Sequence, residues 1–144
     1  MYIFSIALAF AIIIFAAFIN GGLFYIIDIF ALLIIAIIPL LLFSVSATKE
    51  EFKSFMKYFF APTKESATPK LVTLFEQYIT YTYATGAILS MLGWIMLLNI
   101  FDIKEFGTQH HMADAFLGLF YAILVVEFKL RPMKNRAINQ LENN

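Results

Sequence analysis

Asp114 stands about one turn inside an apolar stretch, residues 112–130, of a 144-residue chain. A carboxylate held there would bind a proton or a cation, or meet a partner, because polar groups in hydrocarbon turn toward protein or water. A short tilt would instead bring it to the outer headgroups, and both readings stay open. Hydroxyls form a second set: Thr73, Thr80, Thr82, Thr85 and Ser90, with Gln77. At helical spacing Thr73, Gln77 and Thr80 share one face, and Ser90 shares another with Tyr83, Gly86, Gly93 and Leu97. Such a face lines a wet path or permits close packing, and a membrane hydroxyl often bonds only its own i−4 carbonyl. Glu127, two residues from Lys129 and near Arg131, reads as part of an inner-interface charge cluster, and Asp28 as an outer interfacial carboxylate that opens the second apolar span. His110 and His111 are adjacent and diverge by roughly 100° on a helix. No third ligand lies at metal-site spacing, so no metal site is expected. No Gly-rich phosphate loop, glycosidase-like carboxylate pair or Ser-His-Asp set can be assembled, and the expectation is a protein that is not an enzyme.

The elements that must hold these residues follow from composition. The chain is 62% hydrophobic and only 14% charged, with no Cys, against about 45–50% apolar and about 25% charged for a soluble domain. Disulfide frameworks, zinc-thiolate sites and Cys nucleophiles are excluded. Ten basic residues balance ten acidic ones, which offers no basic nucleic-acid surface. Charge-free stretches of about 20 residues mark bilayer spans. Four are expected, at about residues 2–19, 23–45, 83–101 and 112–130. The first has no basic leader and too long an apolar run for a signal peptide, so it is expected to be a retained helix. Lys49, Lys53, Lys57, Lys64 and Lys70 lie between spans two and three, and Lys129, Arg131, Lys134 and Arg136 follow span four. The positive-inside rule then places the middle segment, residues 46–82, and the tail, residues 131–144, in the cytoplasm, with the N-terminus there too. A bacterial inner membrane is the expected location.

Local signals set the connections. Asn20-Gly21-Gly22 makes a tight turn between spans one and two. Pro39 lies inside span two as a packing kink. Phe52, Phe55, Met56, Phe59 and Phe60 recur at helical spacing, so span two is expected to continue as an amphipathic helix to about Phe60, packed on its neighbours or lying on the headgroups. Ser66-Ala67-Thr68-Pro69 opens the next helix, which runs on from Lys70 into span three. Gly107 and Thr108–His111 read as the outer loop before span four. Gly86 and Gly93, and Gly118 and Ala122, are spaced to let two helix backbones approach closely in lipid.

From span three onward the chain resembles the MotA/TolQ/ExbB proton-channel family, and MotA-like stator subunits most. Gly86-Ala87-Ile88-Leu89-Ser90-Met91-Leu92-Gly93 is similar to its small-residue third-span motif. The run from Ala113 to Ala122, ending in Arg131-Pro132, resembles its fourth-span motif, and Gly21-Gly22 followed by Asp28 its second-span entry. The resemblance implies an all-α, four-span protein forming a ring, a homo-oligomer of five copies. The ring would surround a single-span MotB/ExbD/TolR-like partner whose membrane Asp carries H+ or Na+, and ion flow would drive rotation. No cofactor beyond the transported ion is implied. Ser90, Asp114, Thr85 and Tyr121 would line the ion path. Gly86, Gly93, Gly118, Ala122 and Pro132 would provide packing and pore lining. The chain departs from the family in lacking the large cytoplasmic domain, in carrying Leu119 where a Thr is usual, and in carrying Tyr83 for a third-span Pro. Leu119 favours a rival reading, a non-conducting scaffold of the same fold. A second rival is a self-contained channel or transporter using Asp114, which predicts flux lost on Asp114→Asn.

Overall fold

The computed structural model describes residues 11, 12, 15, 28–63, 67–99 and 108–142, with the backbone alone at 99 and 108–114. The described residues are helical and contain no strand. Among the described residues, two helices are long and apolar enough to cross a membrane: α1, Ile29–Ser46, and most of α3, Pro69–Asn99. Between them lies α2, Lys49–Phe60. After α3 a helical run passes through α4, Thr108–Val125, a π-helical turn, Val126–Leu130, and α5, Arg131–Glu142. Span one and the Asn20-Gly21-Gly22 turn fall outside the described residues, apart from helical residues 11, 12 and 15.

Each boundary has a local cause, and three differ from expectation. The apolar run reads as one span from 23 to 45, yet α1 starts at Ile29. Asp28 is extended (φ −101°, ψ 104°), and its carboxylate accepts the N–H groups of Phe30 and Ala31. This caps donors that the first turn leaves unpaired. Nor does α1 continue to Phe60. Ala47 is extended, and Thr48 begins α2 with a reciprocal capping box. Thr48 N–H donates to Glu51 Oε2 at 2.7 Å, and Glu51 N–H to Thr48 Oγ1 at 3.3 Å. Lys70 then joins Glu51 in an ion pair that ties the start of α2 to the start of α3. The Lys70 ammonium, with the Thr48 donors, holds the Glu51 carboxyl down at about 2. Thirdly, Thr108–His111 are helical. Their polarity marks a wet end of a helix, and none of the four is a helix breaker.

Thr48→Ala is expected to lower stability by about 1 kcal/mol and Thr48→Ser to leave it nearly unchanged. Thermal unfolding in detergent measures both.

Helix α3 starts where Pro69 occupies the first helical position, with Leu71 N–H donating to Thr68. It then runs 31 residues without a break, roughly 46 Å. The main core gathers at one end of the bundle. Phe43 of α1, Phe55 of α2 and Tyr78 of α3 meet there with ring centroids 4.7–5.6 Å apart, and Phe55 lies 4.8 Å from Phe75. Helix α2 thus folds back onto the helices with Phe55 and Tyr58 buried. Tyr58 donates to Gln140 Oε1 at 2.9 Å, fastening α5 to the same end.

Candidate functional site

The seam between α3 and α4 holds most of the residues that the motifs single out. Gly86 faces Ala122 and the carbonyl of Gly118, Gly93 faces Ala115, and Gly118 faces Leu89. A Cβ at Gly93 would stand 2.7 Å from Ala115 Cα, and one at Gly118 would stand 2.8 Å from Leu89 Cβ. The two backbones are therefore as close as glycine permits, with no room for a path between them.

The hydroxyls at this seam are engaged. Ser90 Oγ accepts the backbone N–H of Leu119 across the seam at 2.9 Å. Thr85 and Thr82 donate to the carbonyls of Tyr81 and Tyr78 on their own helix, and Thr80 to that of Glu76. Gln77 donates to Tyr81 Oη. Tyr121 Oη accepts the N–H of Asp28 at 2.8 Å, so it anchors the start of α1 to α4. The structure thus gathers Ser90, Gly86, Gly93, Gly118 and Ala122 at one contact. Thr85 and Tyr121 bond locally and to α1 instead. Asp114 lies within α4, its side chain outside the described residues. Pro132 lies inside the helical run directly after the π turn.

A second constellation, which the sequence suggests only as a charge cluster, lies at the π turn that follows α4. Tyr83 donates to Glu127 Oε1 at 2.7 Å, and Arg131 Nη1 lies 3.2 Å from Glu127 Oε2. Lys129 is not part of it; its ammonium sits 5.1 Å from the centre of the Phe59 ring. Beside the cluster is a cleft of about 470 Å³ lined by Glu76, Ile79, Thr80, Arg131, Lys134 and Asn135, with Lys134 donating to Glu76 at 2.8 Å. The i,i+4 spacing of Glu127 and Arg131 is legible in the sequence. Tyr83, 44 residues away, is brought in only by the packing of α3 on α4.

The depth of this cluster follows from α1. Ile35 packs in one cluster with Leu117, Tyr121 and Ala122, and Phe43 in another with Val126 and Leu130. Glu127 stands between Val126 and Leu130 and is therefore level with Phe43, in the last turn of α1. On its outer side α1 exposes apolar chains along its length, from Ile29 and Phe30 through Ile37 to Leu41 and Val45, apart from Ser44 and Ser46, which bond carbonyls of their own helix. Tyr78 of α3 meets Phe43 of α1 edge to ring. Glu76, Thr80 and Tyr83 lie roughly 140–200° round α3 from Tyr78. Among the described residues, α1 thus presents an apolar side, and the polar and charged groups lie on the other side near the Phe43 end of α1.

No family model, curated protein or solved structure matches this chain. The geometry of the seam and of the Tyr83–Glu127–Arg131 cluster carries the functional reading.

Proposed function

We propose that the chain is a four-span, ring-forming subunit of an ion-driven inner-membrane complex. In this reading it couples flow of H+ or Na+ to movement of a single-span partner, as the resemblance to the MotA/TolQ/ExbB family implies. The observation that carries the proposal is the two-sided surface. Helix α1 is suited to hydrocarbon along its length, while Glu127, Arg131, Thr80 and Glu76 lie on the opposite side, near the Phe43 end of α1. A charged side at the edge of the hydrocarbon turns to protein or water. A ring meets both demands, with α1 outward in lipid and the α3–α5 side turned to neighbouring copies and a central partner. The tight glycine seam supports the same arrangement, because a path closed within one chain has to run between chains.

A non-conducting scaffold of the same fold is the second reading. The engaged Ser90 and Thr85 hydroxyls favour it, since neither offers a free group along the seam. Native mass spectrometry of the complex, extracted gently from native membranes, tests the ring first. The expected result is a closed homo-oligomer, five copies by family resemblance, retaining a one-span protein. A monomer overturns the proposal. A ring whose reconstituted vesicles carry no ion current selects the scaffold.

A further inference from the structure

Helix α2 has two unlike sides. Phe55 and Tyr58 turn into the bundle and are buried, while Lys49, Lys53 and Lys57 are exposed. Spaced at i, i+4 and i+8, the three lysines fall within about 80° of one another round the helix. Among the described residues none of them has an ion-pair partner. Of the acids on α2, Glu51 is held by Lys70, and Glu50 lies at the edge of the row, about 20° beyond Lys57. Like charges four residues apart on a helix repel and destabilise it. The row therefore works against the helix that carries it, and no described residue supplies an anion to offset it.

The place of the row and one of its neighbours identify the missing anion. Phe43, in the last turn of α1, packs on Phe52 and Phe55 with ring centroids 6.0 and 4.7 Å away. Helix α2 thus lies at the end of a helix apolar enough to cross a membrane. Val45 of that helix is 88% exposed. Lys49 follows it by four residues and so lies no more than about 14 Å away. At the far end of α2, Phe60 is 75% exposed. By helical spacing it falls between Lys49 and Lys53 in angle, on the lysine face itself. Lysines in water give no reason for a bare phenylalanine among them. A lipid interface takes both kinds of side chain. The ring and the lysine stems lie against the acyl boundary, and the ammonium groups reach the phosphates. Anionic headgroups attract a basic segment placed beside a span in this way.

We propose that the Lys49–Lys53–Lys57 face of α2 is a docking surface for anionic phospholipid in the leaflet where α1 ends, with Phe60 seated at the acyl boundary. The lipid phosphates supply the anions that the row lacks, and the aromatic side of α2 stays on the bundle. The inference needs α1 to cross the membrane. It holds whether or not the chain forms a ring or conducts ions.

The test places a fluorophore on this face. Trp94 is the one tryptophan of the chain, so the full chain carrying Trp94→Phe and Phe60→Trp reports from position 60 alone. It is reconstituted into mixed vesicles of phosphatidylcholine and phosphatidylglycerol, with one lipid and then the other brominated in its acyl chains. Bromine quenches tryptophan only at close range. The expected result is quenching by both lipids with phosphatidylglycerol preferred, by roughly fivefold for each lysine engaged. Lys49→Gln, Lys53→Gln and Lys57→Gln together are expected to bring the preference close to one, and the three Lys→Arg changes to keep it. Arg136→Gln, which removes a charge from α5, is expected to leave it unchanged. Salt at about 1 M, where the Debye length is about 3 Å, is expected to weaken it. In neutral detergent the triple Gln variant is expected to unfold no earlier than the parent, because it relieves repulsion within α2. Earlier unfolding would make the row part of the fold and overturn its assignment to lipid. Equal quenching by the two lipids overturns the choice of an anionic headgroup. Absence of quenching by either overturns the docking surface, and leaves the row facing water or an acidic protein.

Discussion

Gly86→Ala is expected to destabilise the protein by about 1–3 kcal/mol, the usual cost of forcing atoms into a packed contact. One methyl group suffices because it has nowhere to go. A Cβ at Gly86 would overlap Ala122 Cβ and would stand 2.9 Å from the Gly118 carbonyl oxygen. The second neighbour is backbone, which no rotamer change can move aside. Helices α3 and α4 would have to separate, and the Leu119 N–H to Ser90 bond would lengthen with them. The double variant Gly86→Ala, Ala122→Gly removes the worse overlap and is expected to recover part of the loss. Ile88→Ala, two residues along on a face that is 59% exposed, serves as the control with little effect. Thermal unfolding in detergent, followed by circular dichroism, compares the three. Equal stability of Gly86→Ala and wild type would mean that the two backbones are not in contact at this level. No coupling in the double variant would separate Gly86 from Ala122.

The glycine seam was open to sequence reasoning because it depends on spacing alone. Gly86 and Gly93, seven apart, lie on one face of any helix, and small residues on such a face in lipid have few uses other than packing. The Pro69 helix start was legible for the same reason. The break at Ala47 was also written in the sequence, as Thr48-Lys49-Glu50-Glu51, a capping box, but the aromatic periodicity from Phe52 onward masks it. Asp28 was legible as the opening of span two, but hydropathy treats 23–45 as uniform and does not show that its carboxylate takes two N–H groups and starts the helix within the run. The Tyr83–Glu127 bond was beyond reach. Periodicity places Tyr83 on the glycine face of α3 but does not say how far α4 is shifted along it, and that shift decides which side chain Tyr83 meets. The π turn was hidden for a related reason. Pro132 announces a disturbance, and only the fold shows that it widens a turn and leaves the run unbroken.

Phe55→Ala is expected to be the most damaging single change outside the seam. Phe55 is 1% exposed and joins three helices, with its ring 4.7 Å from Phe43 of α1, 4.8 Å from Phe75 and 5.2 Å from Tyr78 of α3. Truncating a buried Phe to Ala costs about 3–5 kcal/mol, and each lost aromatic pair adds roughly 0.5–1.5 kcal/mol beyond area burial. What remains to hold α2 is weaker. The Lys70–Glu51 pair lies at its start, with the Lys70 side chain largely exposed, and an ion pair of that kind contributes about 0–1 kcal/mol. Tyr58 still donates to Gln140, but that bond orients α5 against α2 and does not replace the lost ring contacts. Helix α2 is therefore expected to come away from α3 and lose its helical order, so that trypsin cleaves faster at Lys53 and Lys57, whose side chains are already exposed, in inside-out vesicles while α3 and α4 stay paired. Phe55→Leu keeps much of the volume and is expected to cost less than half as much. An alternative placement of α2, flat on the inner headgroups, makes the opposite prediction: Phe55 would then sit among lipid, and its loss would leave trypsin sensitivity unchanged. The cleavage rate at Lys53 and Lys57 thus decides whether the aromatic stripe from Phe52 to Phe60 faces the bundle or the bilayer.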